Sequence, residues 1–349
     1  MSKAFTPGLL QELTSSDIDW IQNHGYVERI PDGTALIQAQ HPIDSFYLIL
    51  EGTLSAVRSD RDVVDIEFMR LITGDVTGAI PGLVNNPSTT SIIAQSDTDV
   101  LAIPFLILTE KLDDDLSFAA HLYRSTALRL VQQITNFMRH IGQPTQLYPT
   151  RRTLITLFSE LNDIDIDWLI AAGQVQHLAT GAFLVDTNRT LDGLHIVLNG
   201  SLSLSRPERE VDPIAALFSE KTSTHPEIEF SRLSRGDILG EFWFAKSHLI
   251  GISAQATQDT QILLIPRWRF AAKLMHDVAF ASRFYHALII LLNQQQQHCL
   301  DQHPDRNSQN LATETDSQLL TKVALAEARF EWMLKRIQTK VITEKEVQW

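Results

Sequence analysis

The sequence repeats itself at a fixed spacing, and this duplication constrains the fold more than any other feature. Trp20 and Trp168 each end an Ile-Asp-Trp segment, and they lie 148 positions apart. The same spacing relates Gly52-Thr53-Leu54-Ser55 to Gly200-Ser201-Leu202-Ser203. After one insertion the spacing becomes 162, as between Gly74-Asp75 and Gly236-Asp237. A register kept this long is typical of an internal duplication, so the chain is predicted to contain two copies of one domain.

The chain length agrees with two domains and a tail. The 349 residues accommodate two domains of ordinary size. The repeat predicts a first domain at 8–142, a linker at 143–152 and a second domain at 153–300. Residues 301–349 are predicted to form a polar linker and an amphipathic C-terminal helix.

Composition and charge exclude several classes of protein. The net charge of -13 argues against a bulk electrostatic grip on nucleic acid or anionic lipid, although a local basic patch remains open. No apolar run approaches the roughly 18 residues needed for a membrane span, and the N-terminus lacks the apolar stretch of a secretion signal. Cys299 is the only cysteine, so no internal disulfide can form. A cytoplasmic location is therefore predicted.

The local pattern of each repeat predicts a short helix, a series of short strands and a long closing helix. The predicted strands of the first repeat include 35–37, 46–50 and 54–57, and those of the second include 183–185, 194–198 and 202–204. Closing helices are predicted at Ala119–Met138 and Ala279–Gln297, where apolar residues recur every three or four positions without Pro or Gly. We expect both tryptophans to hold the opening helix against its sheet. Short strands separated by turn residues indicate an antiparallel sandwich or barrel.

Two segments have no equivalent in the first repeat. The second repeat has extra residues between its strands, within 206–229, and their polar composition predicts an exposed loop. A final helix is predicted at about 315–342, with Thr313 and Asp316 as a capping pair. Its apolar stripe needs a partner surface, and the two outcomes considered are packing onto the second repeat or contact with another subunit or protein. For the second outcome the predicted anchors are Phe330, Leu334 and Ile337.

This order of elements resembles the cyclic nucleotide-binding domain superfamily, which includes the cAMP receptor protein and the regulatory subunits of cAMP-dependent protein kinase. The telling segments are Phe46–Gly52, Leu194–Gly200 and Leu233–Glu241. The resemblance covers roughly residues 10–140 and 158–298. It implies a mainly β fold with flanking helices: two tandem jelly-roll domains of the double-stranded β-helix, β-barrel type, followed by the C-terminal helix. The same architecture recurs in many bacterial proteins.

The ligand residues that the resemblance implies are mostly replaced. In this family an Arg holds the cyclic phosphate and a Gly-Glu pair binds the ribose hydroxyl. In the first repeat the Glu position is Ala79 and the Arg position is Ser88, whereas in the second Glu241 remains and the Arg position is Ile250. Loss of a charge-assisted hydrogen bond costs roughly 1.5 to 3 kcal/mol, or about one to two decades of affinity. A cyclic nucleotide is therefore not expected in the first repeat.

The second repeat remains open to a ligand. Gly240, Glu241, Lys246 and Ser253 are the candidate ligand-binding residues, with Lys246 or His248 as a source of positive charge. The alternative is that Glu241 is only a remnant of the fold. The aromatic run Phe242-Trp243-Phe244 either closes the former pocket or stacks on a base.

Other site chemistry is not indicated, so neither catalytic residues nor a metal or obligatory cofactor is predicted. Neither a phosphate-binding loop nor a nucleophile elbow occurs. His298, Cys299 and His303 lack a fourth ligand for zinc. The acidic pairs Asp17/Asp19 and Asp165/Asp167 lie where a helix begins and where negative charge is favoured.

Two functions follow from the sequence. The first is a non-catalytic regulatory or scaffold protein whose degenerate domains dock on a protein partner. The second is a small-ligand sensor that binds in the second repeat and signals through its C-terminal helices. A DNA reader is not expected, because the residues after Leu300 predict a single long helix with charges of both signs. The partner, any ligand and the oligomeric state are not encoded in a readable motif.

Overall fold

The computed structural model describes residues 12–60, 63–78, 90–141, 153–186, 191–207, 227–240, 253–301 and 317–346. The predicted linker at 143–152, most of the predicted loop at 206–229 and the capping pair Thr313 and Asp316 lie outside these ranges. Within them, no helix is long and apolar enough to cross a membrane.

The described residues form two compact units. Unit 1 comprises those within Met1–Gln143 and Ala281–Leu300, and unit 2 comprises those within Pro144–Phe280 and Asp301–Trp349. Most of the second closing helix therefore groups with unit 1. The domain boundaries predicted from the repeat stay a prediction.

Unit 1 contains the first repeat. Its strands are β1 (Tyr26–Ile30), β2 (Ala35–Ile37), β3 (Ser45–Glu51), β4 (Thr53–Asp60), β5 (Val63–Ile72), β6 (Val76–Gly78), β7 (Ser91–Ala94) and β8 (Thr98–Pro104). Its helices are α1 (Ser15–His24), α2 (Phe105–Asp114) and α3 (Leu116–Ile141).

Unit 2 contains the second repeat and the C-terminal helix. Its strands are β9 (Gln174–Leu178), β10 (Phe183–Val185), β11 (Gly193–Asn199), β12 (Ser201–Pro207), β13 (Glu227–Ser234), β14 (Ile238–Leu239), β15 (Ser253–Ala256) and β16 (Thr260–Pro266). The helices of this half of the chain are α4 (Thr153–Glu160), α5 (Asp163–Ala172), α6 (Arg267–His276), α7 (Val278–Asp301) and α8 (Ser317–Glu346). The C-terminal helix thus begins and ends close to its predicted bounds.

Both units have the same sheet topology. In unit 1 the antiparallel sheets have the orders β1-β8-β3-β6 and β2-β7-β4-β5, and in unit 2 they have the equivalent orders β9-β16-β11-β14 and β10-β15-β12-β13. The mainly β fold with flanking helices, built as two jelly-roll domains, is therefore confirmed. The predicted barrel needs one correction: among the described strands, each unit has two four-stranded sheets rather than a closed barrel.

A tight turn links the two sheets of each unit, because it connects β3 to β4 in unit 1 and β11 to β12 in unit 2. Gly52 lies between β3 and β4 with φ +99°, and a Cβ there would lie 2.5 Å from Thr98 Oγ1. Gly200 has φ +93°, and a Cβ would lie 2.4 Å from Thr260 Oγ1. Only glycine allows this backbone angle together with so close an approach. The predicted turn glycines are thus required by local geometry.

The opening helices begin with the same capping arrangement. Thr14 caps α1 and Asn162 caps α5, and each accepts a hydrogen bond from the backbone of the Asp three residues later. The Asp side chains in turn accept from the cap backbone, Asp17 at 2.8 Å and Asp165 at 2.9 Å. Such reciprocal bonds satisfy two helix N–H groups. The interpretation of Asp17 and Asp165 as helix-start residues is confirmed, whereas Asp19 and Asp167 lie two residues further into their helices.

The tryptophans join the opening helix to the closing helix. The Trp20 ring lies 5.0 Å from Phe118, and the Trp168 ring lies 5.6 Å from Phe280. Lys111 and Lys273 lie over the respective indoles at 5.7 and 5.4 Å. The two environments match, as the duplication predicts. The ring contacts observed are with the start of the long helix, and the expected contact with the sheet stays a prediction.

The sequence analysis did not predict three of the described helices. Helices α2 and α6 each follow a proline that ends a strand, Pro104 or Pro266. Helix α4 precedes the region in which the repeat is readable. In α2 and α6 only three residues are buried, Leu108, Leu112 and Phe270, so their apolar periodicity is weak.

Candidate functional site

The predicted ligand site lies at the end of β14, and the structure describes part of it. Gly240 and Ser253 fall in the described ranges, whereas Glu241 and Lys246 lie outside them. The positions expected for the phosphate Arg, Ser88 and Ile250, also lie outside, as does Ala79. The ligand assignments therefore stay predictions, and the structure defines only their framework.

Gly240 occupies a position that another residue could not take without a shift. Its φ is +99°, and a Cβ would lie 2.4 Å from the carbonyl oxygen of Gly193. Gly78 has the same role in unit 1, with φ +95° and the Ser45 carbonyl oxygen at 2.4 Å. The end of this short strand thus lies close against β3 in unit 1 and against β11 in unit 2.

The Gly-Asp turn before β14 is held by its own aspartate. Asp237 Oδ2 accepts a hydrogen bond from the Ser234 backbone at 2.7 Å. Gly236 N donates to Val197 O at 2.8 Å, and Val197 N donates to Asp237 O at 2.9 Å. The turn is therefore tied to β11 on both sides of Gly236.

Ser253 is held by a residue that the sequence did not indicate. It begins β15, is 1% exposed, and its Oγ donates to Glu227 Oε2 at 2.7 Å. Glu227 begins β13. This bond joins the starts of two strands, so the Ser253 hydroxyl already has a structural role. A ligand that used it would share it with Glu227.

Two buried polar residues distinguish the second repeat from the first. Tyr47 and Met69 belong to the apolar core of unit 1, and at the stated spacings their equivalents are His195 and Ser231. His195 Nδ1 and Ser231 Oγ have no hydrogen-bond partner among the described residues, although the side chains are 1% and 7% exposed respectively. Unpaired buried polar atoms are uncommon because each loses its hydration without compensation. An alignment of the two repeats could have shown this replacement.

The other ring nitrogen of His195 has a hydrogen-bond partner. Its Nε2 lies 2.9 Å from Asp192 Oδ1. The hydrogen bond from His195 lowers the pKa of the Asp192 carboxyl. In unit 1 the equivalent Tyr47 has its pKa raised, chiefly by burial. The two positions therefore present different chemistry on the same framework.

The predicted partner anchors are placed within unit 2. Helix α8 packs on α4 and α5. Phe330 and Ile337 are 6% and 5% exposed, Leu334 is half-buried, and the Phe330 ring lies 6.2 Å from that of Phe158. Of the two outcomes considered, packing onto the second repeat is the one observed. In this arrangement Phe330 and Ile337 are not exposed anchors.

The search for a metal site covers only the described residues. Within the described residues, no group of three His, Cys, Asp or Glu could hold a metal ion. The side chains of His298, Cys299 and His303 lie outside that part of the chain.

Comparison with known families gives a match for the first repeat. Residues 27–115 match the family described as "Cyclic nucleotide-binding domain". Among curated proteins, none matches the chain significantly in sequence.

Solved structures that match the chain include protein kinase A regulatory subunits. The regulatory domain of Toxoplasma gondii PKA with cAMP is 16% identical, with a TM-score of 0.28, over 83% of this chain and 92% of that one. The regulatory subunit of a cAMP-independent protein kinase A from Trypanosoma brucei is 16% identical, with a TM-score of 0.29, over 83% and 88%. A cyclic nucleotide-binding domain from Methylobacillus flagellatus is 14% identical, with a TM-score of 0.35, over 39% and 78%.

The family match and the duplication agree with one another. The matched residues run from β1 to the end of α2, and the second repeat has the same strand order, turn glycines and helix caps. Residues 27–115 are therefore a domain of the cyclic nucleotide-binding type, and the second repeat is its duplicate in topology.

Proposed function

We propose that this chain is a non-catalytic regulatory protein of the cytoplasm that acts by docking on a protein partner. Its two domains of the cyclic nucleotide-binding type serve as the scaffold. In this proposal the first domain carries no cyclic nucleotide, and no cofactor is needed. Neither DNA nor a membrane is the target.

The observation that carries the proposal is the contrast between framework and ligand residues in the first repeat. Gly78, at the end of β6, keeps its left-handed backbone and its close approach to β3. The next residue, where the family has Glu, is Ala79, and the phosphate Arg position is Ser88. Neither side chain can pair with a phosphate as a guanidinium does. A framework without its ligand groups is expected of a domain that serves as a scaffold.

Calorimetry with cAMP and cGMP tests the proposal. We expect no binding tighter than about 100 μM to the full chain, because both phosphate Arg positions are replaced. Low-micromolar binding to the wild-type chain would overturn it. Affinity capture of a protein partner that persists in Ala79 and Ser88 variants would support it, because docking does not use the nucleotide positions.

A second candidate is a small-ligand sensor in the second repeat. It is favoured by the unpaired His195 Nδ1 and Ser231 Oγ and by the retained Gly240-Glu241 pair. With Nε2 donating to Asp192, Nδ1 is an acceptor, so it suits a ligand that carries a hydrogen-bond donor.

One variant separates the two candidates. Ile250→Arg restores the phosphate group of the cassette in the second repeat only. If the remaining site is competent, the affinity for a cyclic nucleotide rises by about one to two decades. Ser88→Arg is the matched control and should have no effect, because Ala79 still replaces the Glu. A thermal-shift screen against other mono- and dinucleotides then covers ligands that do not require the Arg.

A further inference from the structure

Helices α2 and α6 occupy equivalent places in the two repeats, and both repeats keep the contacts at the base of the helix. In α2, Lys111 pairs with Asp115 at 2.8 Å. In α6, Lys273 pairs with Asp277 at 2.6 Å. Each lysine also lies over the tryptophan of its own repeat. The side of the helix that faces its own unit is therefore the same in kind in both copies.

The outer faces of the two helices differ in charge. On α2 the exposed residues are aliphatic or acidic: Leu106, Ile107, Glu110, Asp113 and Asp114. On α6 the exposed residues include no acid: Arg267, Trp268, Ala272, Met275 and His276. At the spacing of 162 every acid of the first face is replaced, and Phe105 is replaced by Arg267. In a chain with a net charge of -13, a face with a cation and no acid is distinctive.

Both outer faces also present large apolar side chains to solvent. Leu106 is 75% exposed, and Trp268 and Met275 are 68% and 74% exposed. The Arg269 guanidinium lies 5.0 Å from the Trp268 ring, and its Nη1 donates to Ala172 O at 2.9 Å. The indole thus rests on a guanidinium that is itself bound to the protein. Aromatic residues, methionine and arginine are the types enriched in protein interfaces.

The charges of both faces lie where their own helices disfavour them. Asp113 and Asp114 are in the last turn of α2, at the negative end of the backbone dipole. Within the described residues, neither of them forms an ion pair. Arg267 has the converse placement, in the first turn of α6. Both placements cost helix stability, which a surface of opposite charge would offset.

An antiparallel pairing of α2 with α6 matches each group to a complementary one. One register sets three pairs opposite each other: Leu106 and Met275, Asp113 and Trp268, and Asp114 and Arg267. The first pair is apolar, the second sets a carboxylate before an indole N–H donor, and the third is an ion pair. A parallel pairing sets the two aspartates opposite Met275 and His276 and leaves the arginine without an acid.

From these features we infer that α2 of one copy of this chain docks on α6 of a second copy, antiparallel and head to tail. The occupant is a second copy because the chain itself carries the complementary helix, with the same spacing between its apolar and charged ends. Pairing α2 with α2 provides no cation for the exposed acids, and pairing α6 with α6 provides no acid for Arg267. The inference goes beyond the proposed docking function and does not depend on it.

The size of the contact sets its strength. Each helix has ten residues and is about 15 Å long. Such a contact belongs to the transient class that buries less than about 1,200 Å². Because the two surfaces are different, the contact is heterologous, so each copy can engage one neighbour through α2 and another through α6. Association is therefore expected to be weak and to depend on concentration.

Sedimentation of the purified full chain between about 10 and 500 μM tests the inference. We expect the average mass to rise with concentration for the wild type. The variants Asp113→Lys/Asp114→Lys and Trp268→Ser/Met275→Ser should each stay monomeric. Leu320→Ser is the matched control, since Leu320 is 57% exposed on α8, and it should associate as the wild type does. A wild-type mass that stays that of one chain overturns the inference.

Mixing the two blocked variants tests the head-to-tail arrangement. The first variant retains only its α6 face, and the second retains only its α2 face. An equimolar mixture should therefore form a one-to-one complex and stop at two copies, although neither variant associates alone. Self-association of either variant, or a mixture that stays monomeric, overturns the inference.

A charge exchange tests the register. Asp114→Lys and Arg267→Glu should each weaken association several-fold, and the chain with both substitutions should recover most of it because the pair is restored with reversed charges. Melting temperatures should match that of the wild type, since both side chains are exposed. If a variant melts lower, Leu106→Ser on α2 replaces it as the blocking substitution. Weakening by each single change without recovery in the double variant overturns the antiparallel register.

Anionic vesicles test the other surface to which an exposed tryptophan beside arginine could bind. Co-sedimentation with phosphatidylserine vesicles that Trp268→Ser/Met275→Ser abolishes, together with a monomeric mass, would identify lipid as the occupant and overturn the assignment to a second copy. None of these measurements contains a nucleotide or another protein. Their failure therefore leaves the proposed docking function standing, and low-micromolar nucleotide binding would overturn that function without affecting the self-association.

Discussion

Equivalent residues of the two units form ion pairs with different helices. Glu12 and Glu160 are equivalent at the spacing of 148. In unit 1, Glu12 pairs with Arg124 of the closing helix α3 at 3.0 Å. In unit 2, Glu160 pairs with Lys322 of α8 at 3.0 Å. The residue equivalent to Arg124 is His286, whose ring lies 5.0 Å from Tyr123 within unit 1.

The Gly-Asp turn shows the same exchange. In unit 1, Arg129 of α3 forms a largely buried ion pair with Asp75. Its equivalent in the second repeat is Leu291, which lies on the part of α7 that groups with unit 1. In unit 2 the turn is instead covered by α8, where Phe330 lies beside Gly236 and under the Arg235 guanidinium.

The difference shows which features a duplication retains. Turns, caps and strand order depend on contacts close in sequence or within one sheet, and both copies have them. The long helices bury apolar faces that many surfaces can satisfy. In the second copy the closing helix groups with unit 1, and the added α8 packs on α4, α5 and the turn.

The largest expected effect comes from removing the cation of the turn in unit 1. Arg129→Leu introduces the residue found at the equivalent position of the second repeat. Asp75, 4% exposed, would lose its buried partner, and the free energy of unfolding should fall by about 3 to 5 kcal/mol. Chemical denaturation measures it. Arg124→Ala is the control and should cost less than about 1 kcal/mol, because that pair is exposed.

A second substitution separates the cost of the unpaired Asp75 charge from the loss of the contact with α3. Adding Asp75→Asn to Arg129→Leu removes the unpaired charge and should recover part of the loss. If Arg129→Leu alone changes stability no more than Arg124→Ala, then α3 does not stabilise the turn as argued, and the contrast between the units loses its basis.

The turn glycines are expected to give equal effects in both copies. Gly52→Ala and Gly200→Ala force a Cβ into a left-handed backbone against Thr98 or Thr260, at a cost of about 2 to 4 kcal/mol. Gly181→Ala is the control, because it has φ +84° with nothing within 4 Å, and it should cost only about 1 to 2 kcal/mol. Thermal unfolding measures all three. Unequal costs at Gly52 and Gly200 would show that the local framework is not equivalent.

These contrasts show which structural features could be predicted from the sequence and which could not. The turns at Gly52 and Gly200, the helix starts at Asp17 and Asp165 and the bounds of α8 depend on local patterns, and the sequence indicated each of them. Helical periodicity shows that a face is buried but not which surface buries it. The grouping of α7 with unit 1 was therefore not predictable.

The same distinction between local patterns and distant contacts applies to the candidate site. Gly240 was recognisable from the resemblance to the family, but the bond from Ser253 to Glu227 joins the starts of β15 and β13 and leaves no local pattern. His195 and Ser231 replace Tyr47 and Met69 at buried positions. Each alone is an ordinary residue in a strand, and only their shared burial and unpaired atoms mark them.

Tyr285 provides a pH-dependent test of the packing of α7 in unit 1. Burial raises its pKa to about 12, with Arg124 opposing and Glu12 adding to the shift. The folded state therefore disfavours the tyrosinate. The contribution of Tyr285 to the free energy of unfolding is complete below pH of about 10, which is the tyrosine pKa in the unfolded chain. This contribution is lost as the pH rises towards 12. The loss should be about 2 to 3 kcal/mol.

Alkaline unfolding of wild type and Tyr285→Phe measures this contribution by difference. The variant should lack the corresponding part of the decline between pH of about 10 and 12, while other tyrosines contribute equally to both curves. Identical alkaline curves would mean that Tyr285 is not buried by unit 1. The grouping of α7 with that unit would then need revision.

The smallest expected effect separates two equivalent surface aspartates. Asp97 accepts from Arg29 at 2.8 Å and from the Asp32 backbone at 3.1 Å, whereas Asp259 accepts from the backbone and hydroxyl of Thr180, both at 3.0 Å. The bond from Arg29 lowers the pKa of Asp97, and the Thr180 backbone bond lowers the pKa of Asp259. Both contributions are present above the unfolded carboxyl pKa of about 3.9 and are lost as the pH falls through the folded values.

Salt distinguishes the two, because only Asp97 faces a full positive charge. Asp97→Asn should lower the melting temperature slightly at about 0.05 M NaCl and less at about 1 M, where exposed charges are screened. Asp259→Asn should lower it by an amount that salt leaves unchanged, since neutral donors hold that carboxylate. Both measurements belong near pH 7, where the carboxylates are ionised. An equal salt dependence at the two positions would mean that Arg29 contributes nothing specific, and that the copies stabilise this turn in the same way after all.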